Sequence, residues 1–127
     1  MQKQLEQVKE FHKAFSVFLQ GNPASIPVAV MDIRATLMRE EMKEVIDAMQ
    51  NEPLENIAKE LADLLYVVYG TIGAYGLQDK MEKVFDEVHR SNMSKLGTDG
   101  KPLLREDGKV MKGPSYSPAN IASVLNA

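Results

Sequence analysis

Apolar residues return every three or four positions through most of the first 94 residues, the period of helices buried along one face. Leu5, Val8, Phe11, Phe15 and Phe18 predict a first helix over 2–20, which Gly21, Asn22 and Pro23 break. Ser25, Ile26 and Pro27 open a second, because serine caps and proline tolerates a first turn, and its pattern runs to about Gln50. Asn51, Glu52 and Pro53 close it and begin a third, whose stripe is Ile57, Leu61, Leu64 and Val68. That helix continues to about Tyr75, where Gly76 suits a left-handed C-terminal residue. Met81, Val84, Phe85 and Val88 predict a fourth, ending near Ser94.

The texture changes after Gly97. Thr98, Asp99, Gly100 and then Glu106, Asp107, Gly108 are turn signals around the run Lys101 to Arg105, an arm with the makings of a small hairpin. Ser117 and Pro118 restart helix chemistry, and Ile121, Val124 and Leu125 can dock a last short helix. The expected fold is all-α, a four-helix-bundle core with an ordered C-terminal arm and a short terminal helix. At 127 residues it is expected to be a single domain, 1–127, with its helical core over 1–96 and its arm over 97–127.

Charge and composition narrow the function. A net charge of −3 counts against nucleic acid as the main partner. The charge is unevenly placed, since the segment from Lys95 to Lys112 sets five cations against three anions. With no cysteine, disulfides, thiolate catalysis and cysteine-ligated zinc are excluded. The opening MQKQLEQVKE lacks an apolar core behind a basic head, so no secretory signal is read there and the expected location is cytoplasmic. The longest apolar stretch, Leu61 to Leu77, contains Asp63 and three glycines and falls short of the roughly 20 residues that span a bilayer. No membrane helix is expected.

The conflict in the pattern is acidic. On a helical wheel Glu41 and Glu44 fall in the same arc as Val30, Ile33, Leu37 and Ala48, with Glu40 and Asp47 at its edge. Glu60 and Asp63 flank the stripe of the next helix. Two acidic pairs, each spaced i to i+3, thus border or enter the buried side of neighbouring helices. Converging carboxylates repel one another, and burial raises their pKa values unless a cation joins them. A divalent metal resolves this, and oxygen-only ligands point to magnesium, with manganese as substitute. Magnesium commonly completes its shell with substrate phosphates, which suggests a polyphosphate substrate. A di-iron bundle would want Glu-x-x-His motifs, and neither His12 nor His89 lies three residues after a glutamate. The competing structural reading makes the acids a solvated face, paired as Glu40 with Lys43 or Glu60 with Lys59, on a non-catalytic helical dimerisation or regulatory module.

The E-x-x-E at Glu41 and Glu44 followed by E-x-x-D at Glu60 and Asp63 resembles the signature of the all-α nucleoside triphosphate pyrophosphohydrolases. That superfamily holds the MazG proteins, dimeric dUTPases, dCTP pyrophosphatases and phosphoribosyl-ATP pyrophosphohydrolases. EFHKAF at 10–15, ELADLLYVVYG at 60–70, EVHRSNMSKLG at 87–97 and GKVMKGPSYSPANI at 108–121 extend the likeness to the phosphoribosyl-ATP pyrophosphohydrolase-like branch, which includes MazG-like proteins with dUTPase-type activity. The resemblance implies cleavage of a (d)NTP between the α and β phosphates, giving monophosphate and pyrophosphate. It implies that Glu41, Glu44, Glu60 and Asp63 hold magnesium and that Glu40 orients or deprotonates the attacking water. It also implies a dimer or tetramer. A homodimer is expected, because Leu64, Leu65, Val67 and Val68 would otherwise leave apolar patches open.

Cations are needed where charge builds on the leaving pyrophosphate. Lys95, inside the SNMSK match, is the foremost candidate, with Lys109 and Lys112 beside it and Asn92 for a phosphate or sugar. Arg34 is placed either on phosphate or in a surface pair with Asp32. His12 is either a half-buried packing residue or, by the resemblance, part of a base pocket with Phe15. Tyr116 caps the site from the arm or anchors the arm. The SNMSK likeness favours dUTP and a house-cleaning role in nucleotide metabolism; phosphoribosyl-ATP, and with it histidine biosynthesis, is the enzymatic alternative.

Overall fold

The structure, a computed structural model, describes all residues 1–127. Five helices account for its regular structure: α1 Gln2–Ala14, α2 Val28–Asn51, α3 Leu54–Ala74, α4 Met81–Met93 and α5 Ile121–Asn126. The fold is all-α, and its only extended feature is an isolated antiparallel bridge between Leu104 and Val110. The chain groups into two compact units, Met1–Asp79 and Lys80–Ala127.

In the first unit α1 and α2 both pack on α3. Only Glu52 and Pro53 separate α2 from α3. The extended conformation at both residues turns the chain, and proline cannot continue the helix that precedes it. The two helices then run antiparallel. The inward line of α2 is Arg34, Glu41, Val45 and Ala48, and that of α3 is Glu60, Asp63, Val67, Gly70 and Ala74, each spaced in threes, fours and sevens. Glu41, Glu60 and Asp63 therefore lie within the helix-facing lines themselves, while Glu44 is exposed beside them. Ile33, expected in the α2 stripe, is 58% exposed because the buried line is centred one residue further on, at Arg34.

The first helix ends at Ala14, six residues before the expected Gln20. Ser16 takes a left-handed backbone, φ 54°, and the Val17 amide donates to the His12 carbonyl at 2.8 Å. This is the Schellman closure that glycine usually supplies. Gly76, φ 68°, closes α3 in the same manner, with the Leu77 amide donating to the Ile72 carbonyl. Ser25 does not cap α2, which starts after Pro27 with no side-chain cap bond. Its carbonyl instead accepts from Gln20 Nε2, which also donates to the carbonyls of Ala24 and Ala74 and so staples the connecting loop to the end of α3.

One joint holds the three helices together. His12 of α1 and Arg34 of α2 are 3% and 5% exposed and meet over Gly70 of α3. A Cβ at position 70 would overlap the Arg34 guanidinium and come within 2.7 Å of His12 Nε2, so only glycine permits this approach. Arg34 Nε donates to Thr71 Oγ1 at 3.1 Å and its Nη2 to the Val67 carbonyl at 2.8 Å. Charge-assisted hydrogen bonds of this kind contribute about 1.5–3 kcal/mol each.

In the second unit α4 packs on α5. Arg90 clasps Glu87 with two bonds of 2.8 Å, and Glu87 also accepts the Asn120 amide at 2.9 Å. These bonds push the Glu87 carboxyl down to about 2. Ser94 and Ser117 exchange hydrogen bonds, and Asn120 caps α5 by accepting from the Ser123 amide. Within the arm the Arg105 amide donates to the Lys109 carbonyl and the Gly108 amide to the Arg105 carbonyl, forming the turn of the expected hairpin.

Candidate functional site

Glu41, Glu44, Glu60 and Asp63 come together on the first unit, and one carboxylate oxygen from each lies within 4.8 Å of the others. Glu41 and Glu44 are neighbours on one face of α2 because they are three residues apart, as are Glu60 and Asp63 on α3. The antiparallel hairpin then sets one pair against the other. Glu41 Oε2 and Glu60 Oε2 are buried without any hydrogen-bond partner. Buried acceptors are normally satisfied, so two unpartnered carboxylate oxygens within one acidic cluster fit coordination to a cation.

Electrostatics describe the same strain. Burial raises the Glu41 carboxyl above the ordinary carboxylate range, and the charges of Glu44, Asp63 and Glu60 raise it further. One cation already touches the cluster. Lys59 Nζ is 2.7 Å from Asp63 Oδ2 and 3.4 Å from Glu60 Oε1. An all-oxygen quartet with two buried, unpaired oxygens fits a hard divalent ion such as magnesium.

The other expected residues fall in separate places. Glu40 is exposed and borders a shallow hollow of about 230 Å³ with Asp32, Ile33, Thr36 and Leu37. Arg34 does not pair with Asp32 but is buried in the three-helix joint. His12 sits in that joint too, its Nδ1 3.2 Å from the Phe18 carbonyl. Burial lowers its pKa, Arg34 lowers it further, and the Phe18 bond opposes both. Phe15, 67% exposed, lies along a groove of about 820 Å³ between α1 and α3. Its ring is 4.5 Å from Phe11, which stands edge-on to Tyr66 at 5.5 Å.

In the second unit Asn92 and Lys95 line a hollow of about 360 Å³ with Met93, Leu96, Pro102 and Val110. Lys112 Nζ stands 4.8 Å above the Tyr116 ring. That contact anchors the arm on itself. Lys109 is exposed, and its amide donates to Asp107.

Sequence reasoning missed Tyr66, Gly70 and Thr71 as parts of this architecture and placed Phe11 only in the stripe of the first helix. Phe11 carried a signal in its spacing from Phe15. Gly70 carried none, because its importance arises from two side chains of other helices.

Fold and site together define an all-α protein built around an acidic centre compatible with a divalent cation. The family model for phosphoribosyl-ATP pyrophosphohydrolase matches residues 8–92, a span containing all four carboxylates and ending before Lys95. The chain belongs to this family, within the MazG-like all-α NTP pyrophosphohydrolases, and is a hydrolase acting on a nucleotide pyrophosphate bond. Among solved structures it is similar to a proposed NTP pyrophosphohydrolase from Exiguobacterium sp. 255-15, with 25% identity over 97% of this chain and 91% of that one and a TM-score of 0.44. No curated protein matches it.

Proposed function

We propose that the protein is a magnesium-dependent nucleoside triphosphate pyrophosphohydrolase that favours dUTP and releases the monophosphate and pyrophosphate, clearing the deoxynucleotide pool of the cytoplasm. The observation that carries the metal assignment is the quartet with its two unpaired buried oxygens. Glu41, Glu44, Glu60 and Asp63 hold the ion, which when bound supplies charge neutralisation and Lewis acidity at the phosphates. Manganese, with similar oxygen preferences, is the natural substitute. Glu40, next to the quartet in sequence and exposed to solvent, orients the attacking water and accepts its proton.

Lys95, Lys109 and Lys112 are assigned to the phosphates and Asn92 to a phosphate or the sugar. The shared hollow of Asn92 and Lys95 supports the pairing of those two. Phe15 is assigned to the base, supported by the exposed aromatic groove it shares with Phe11 and Tyr66. His12 acts behind it by fixing the end of α1 to the Phe18 carbonyl, and Arg34 by joining α2 to α3. Tyr116 holds Lys112 in place.

A homodimer is part of the proposal. Both hairpin helices carry a second apolar stripe facing away from each other's contact: Met31, Met42 and Met49 on α2, and Leu54, Leu61 and Leu65 on α3, are 44–77% exposed. A copy of the same surface would cover them. No helix is long and apolar enough to cross a membrane.

The test is a hydrolysis panel of dUTP, the other deoxynucleotides, the ribonucleotides and phosphoribosyl-ATP, with and without magnesium, reading monophosphate and pyrophosphate. Magnesium-dependent preference for dUTP supports the proposal. Preference for phosphoribosyl-ATP keeps the chemistry and replaces the role, and hydrolysis indifferent to divalent ions overturns the metal assignment.

A further inference from the structure

Two lysines adjoin the acidic quartet in sequence, and they are used differently. Lys43, beside Glu44, pairs with Asp47 at 2.7 Å, and Asp47 is not a member of the quartet. Lys59 turns onto two members at once, Asp63 at 2.7 Å and Glu60 at 3.4 Å. Its side chain is 66% exposed, whereas that of Glu60 is 15% exposed. The ammonium therefore covers the outer side of a carboxylate whose other oxygen, Oε2, is buried and unpaired.

We propose that Lys59 is a built-in counter-ion of the acidic centre, displaced from Glu60 and Asp63 when the divalent ion enters and thereby freed for the substrate's phosphates. The proposal rests on the metal assignment made above. Three physical points support it. The Lys59–Asp63 pair runs in the weaker order along a helix, with the cation N-terminal to the acid at i,i+4. An exposed pair of this kind is also intrinsically weak, so it yields to an ion engaging four carboxylates. Finally, the displaced ammonium cannot diffuse away. Its four-carbon stem keeps it at the rim of the centre, where the phosphates that complete a magnesium shell would lie.

A placeholder that becomes a substrate contact gives effects of opposite sign, which a merely structural lysine does not. In Lys59→Met the centre loses its internal competitor, so manganese or magnesium alone binds about two- to fivefold more tightly. A dUTP analogue with a non-hydrolysable α,β-imido bridge, added at saturating magnesium, binds about tenfold more weakly because a charge-assisted phosphate contact is gone.

The experiment is isothermal titration of the full chain with manganese, and then with the analogue, for the unaltered protein, Lys59→Met and Lys43→Met. Tighter metal and weaker nucleotide binding confined to Lys59→Met is the expected result. Equal tightening in Lys43→Met would reduce the effect to the general field of a removed charge and overturn the proposal. Unchanged or weaker metal binding in Lys59→Met, or unchanged nucleotide binding, overturns it as well while leaving the metal assignment standing. Absence of any divalent binding by the unaltered protein would remove both together.

Discussion

Replacing Glu41 by glutamine takes one negative charge out of a cluster of four without changing the shape of the side chain. Each partner carboxylate has an oxygen within 4.8 Å of the Glu41 oxygen. At that separation two unit charges repel by about 0.9 kcal/mol even with the dielectric of bulk water. Three partners give roughly 2.5 kcal/mol, which the nearby Lys59 ammonium and partial protonation reduce to about 1–2 kcal/mol. In EDTA at neutral pH the variant should therefore be more stable than the parent, by roughly 3–8 °C in Tm for a chain of this size.

The pH dependence has a definite sign. Glu41 has a folded pKa raised above its unfolded value, so its contribution is fully present below the unfolded value and is lost as pH rises through the folded one. The gain from Glu41→Gln should accordingly vanish on acidification below the ordinary carboxylate range. Magnesium should reverse the ranking. An ion at a hundredfold excess over its Kd stabilises the parent by about 2.7 kcal/mol, and the variant, lacking one ligand, should gain much less. Circular dichroism melts in EDTA and in magnesium at two pH values measure all of this. A variant destabilised in EDTA, or stabilised by magnesium as much as the parent, would refute the reasoning.

The three-helix joint predicts that Gly70→Ala costs about 1–3 kcal/mol, because the new methyl must displace the Arg34 guanidinium or the His12 ring; an unchanged denaturation midpoint would contradict the packing described. His12 should titrate below the usual value of about 6.5 in an NMR pH series. Its folded pKa is depressed, so the stability it confers is present above the unfolded value and is lost as pH falls through the folded one, and a His12→Asn variant should show a flatter profile in that window. Ser16→Gly should stabilise the protein by about 1 kcal/mol in urea unfolding, since glycine takes the left-handed backbone at φ 54° without the Cβ penalty that serine bears.

Helices α2, α3 and α4 were legible because their ends are written locally, in Pro53, in Gly76 and in the polar residues beyond Met93. The end of α1 was not, because Ser16 fills a glycine's place and Phe18 continues the apolar period after the helix has stopped. The acidic quartet was legible for a simple reason: spacing alone puts each pair on one face, and the two faces can satisfy their apolar neighbours only by meeting. Arg34 reads in the sequence either as a phosphate residue or as a surface partner of Asp32, and the surface pairing is not what the structure shows. A charged side chain at the centre of a buried line is recognisable only once Thr71 and the Val67 carbonyl are seen to receive it. His12 is similar, since its burial depends on a glycine 58 residues further along the chain.

The quartet is contained between residues 41 and 63, on two helices joined by a two-residue turn. Contacts so near in sequence lose little chain entropy on closing, and helical hairpins of low contact order form in microseconds to milliseconds. Ribosomes extend a chain at about 5–20 residues per second, so the residues after α3 take several seconds to be made. The four acids can thus be assembled, and can meet the cell's magnesium, while the remainder of the protein is still being synthesised. On the metal assignment proposed above, folding of the nascent chain and loading of the ion become one event, and the ion would help to hold the hairpin in register for everything that folds after it.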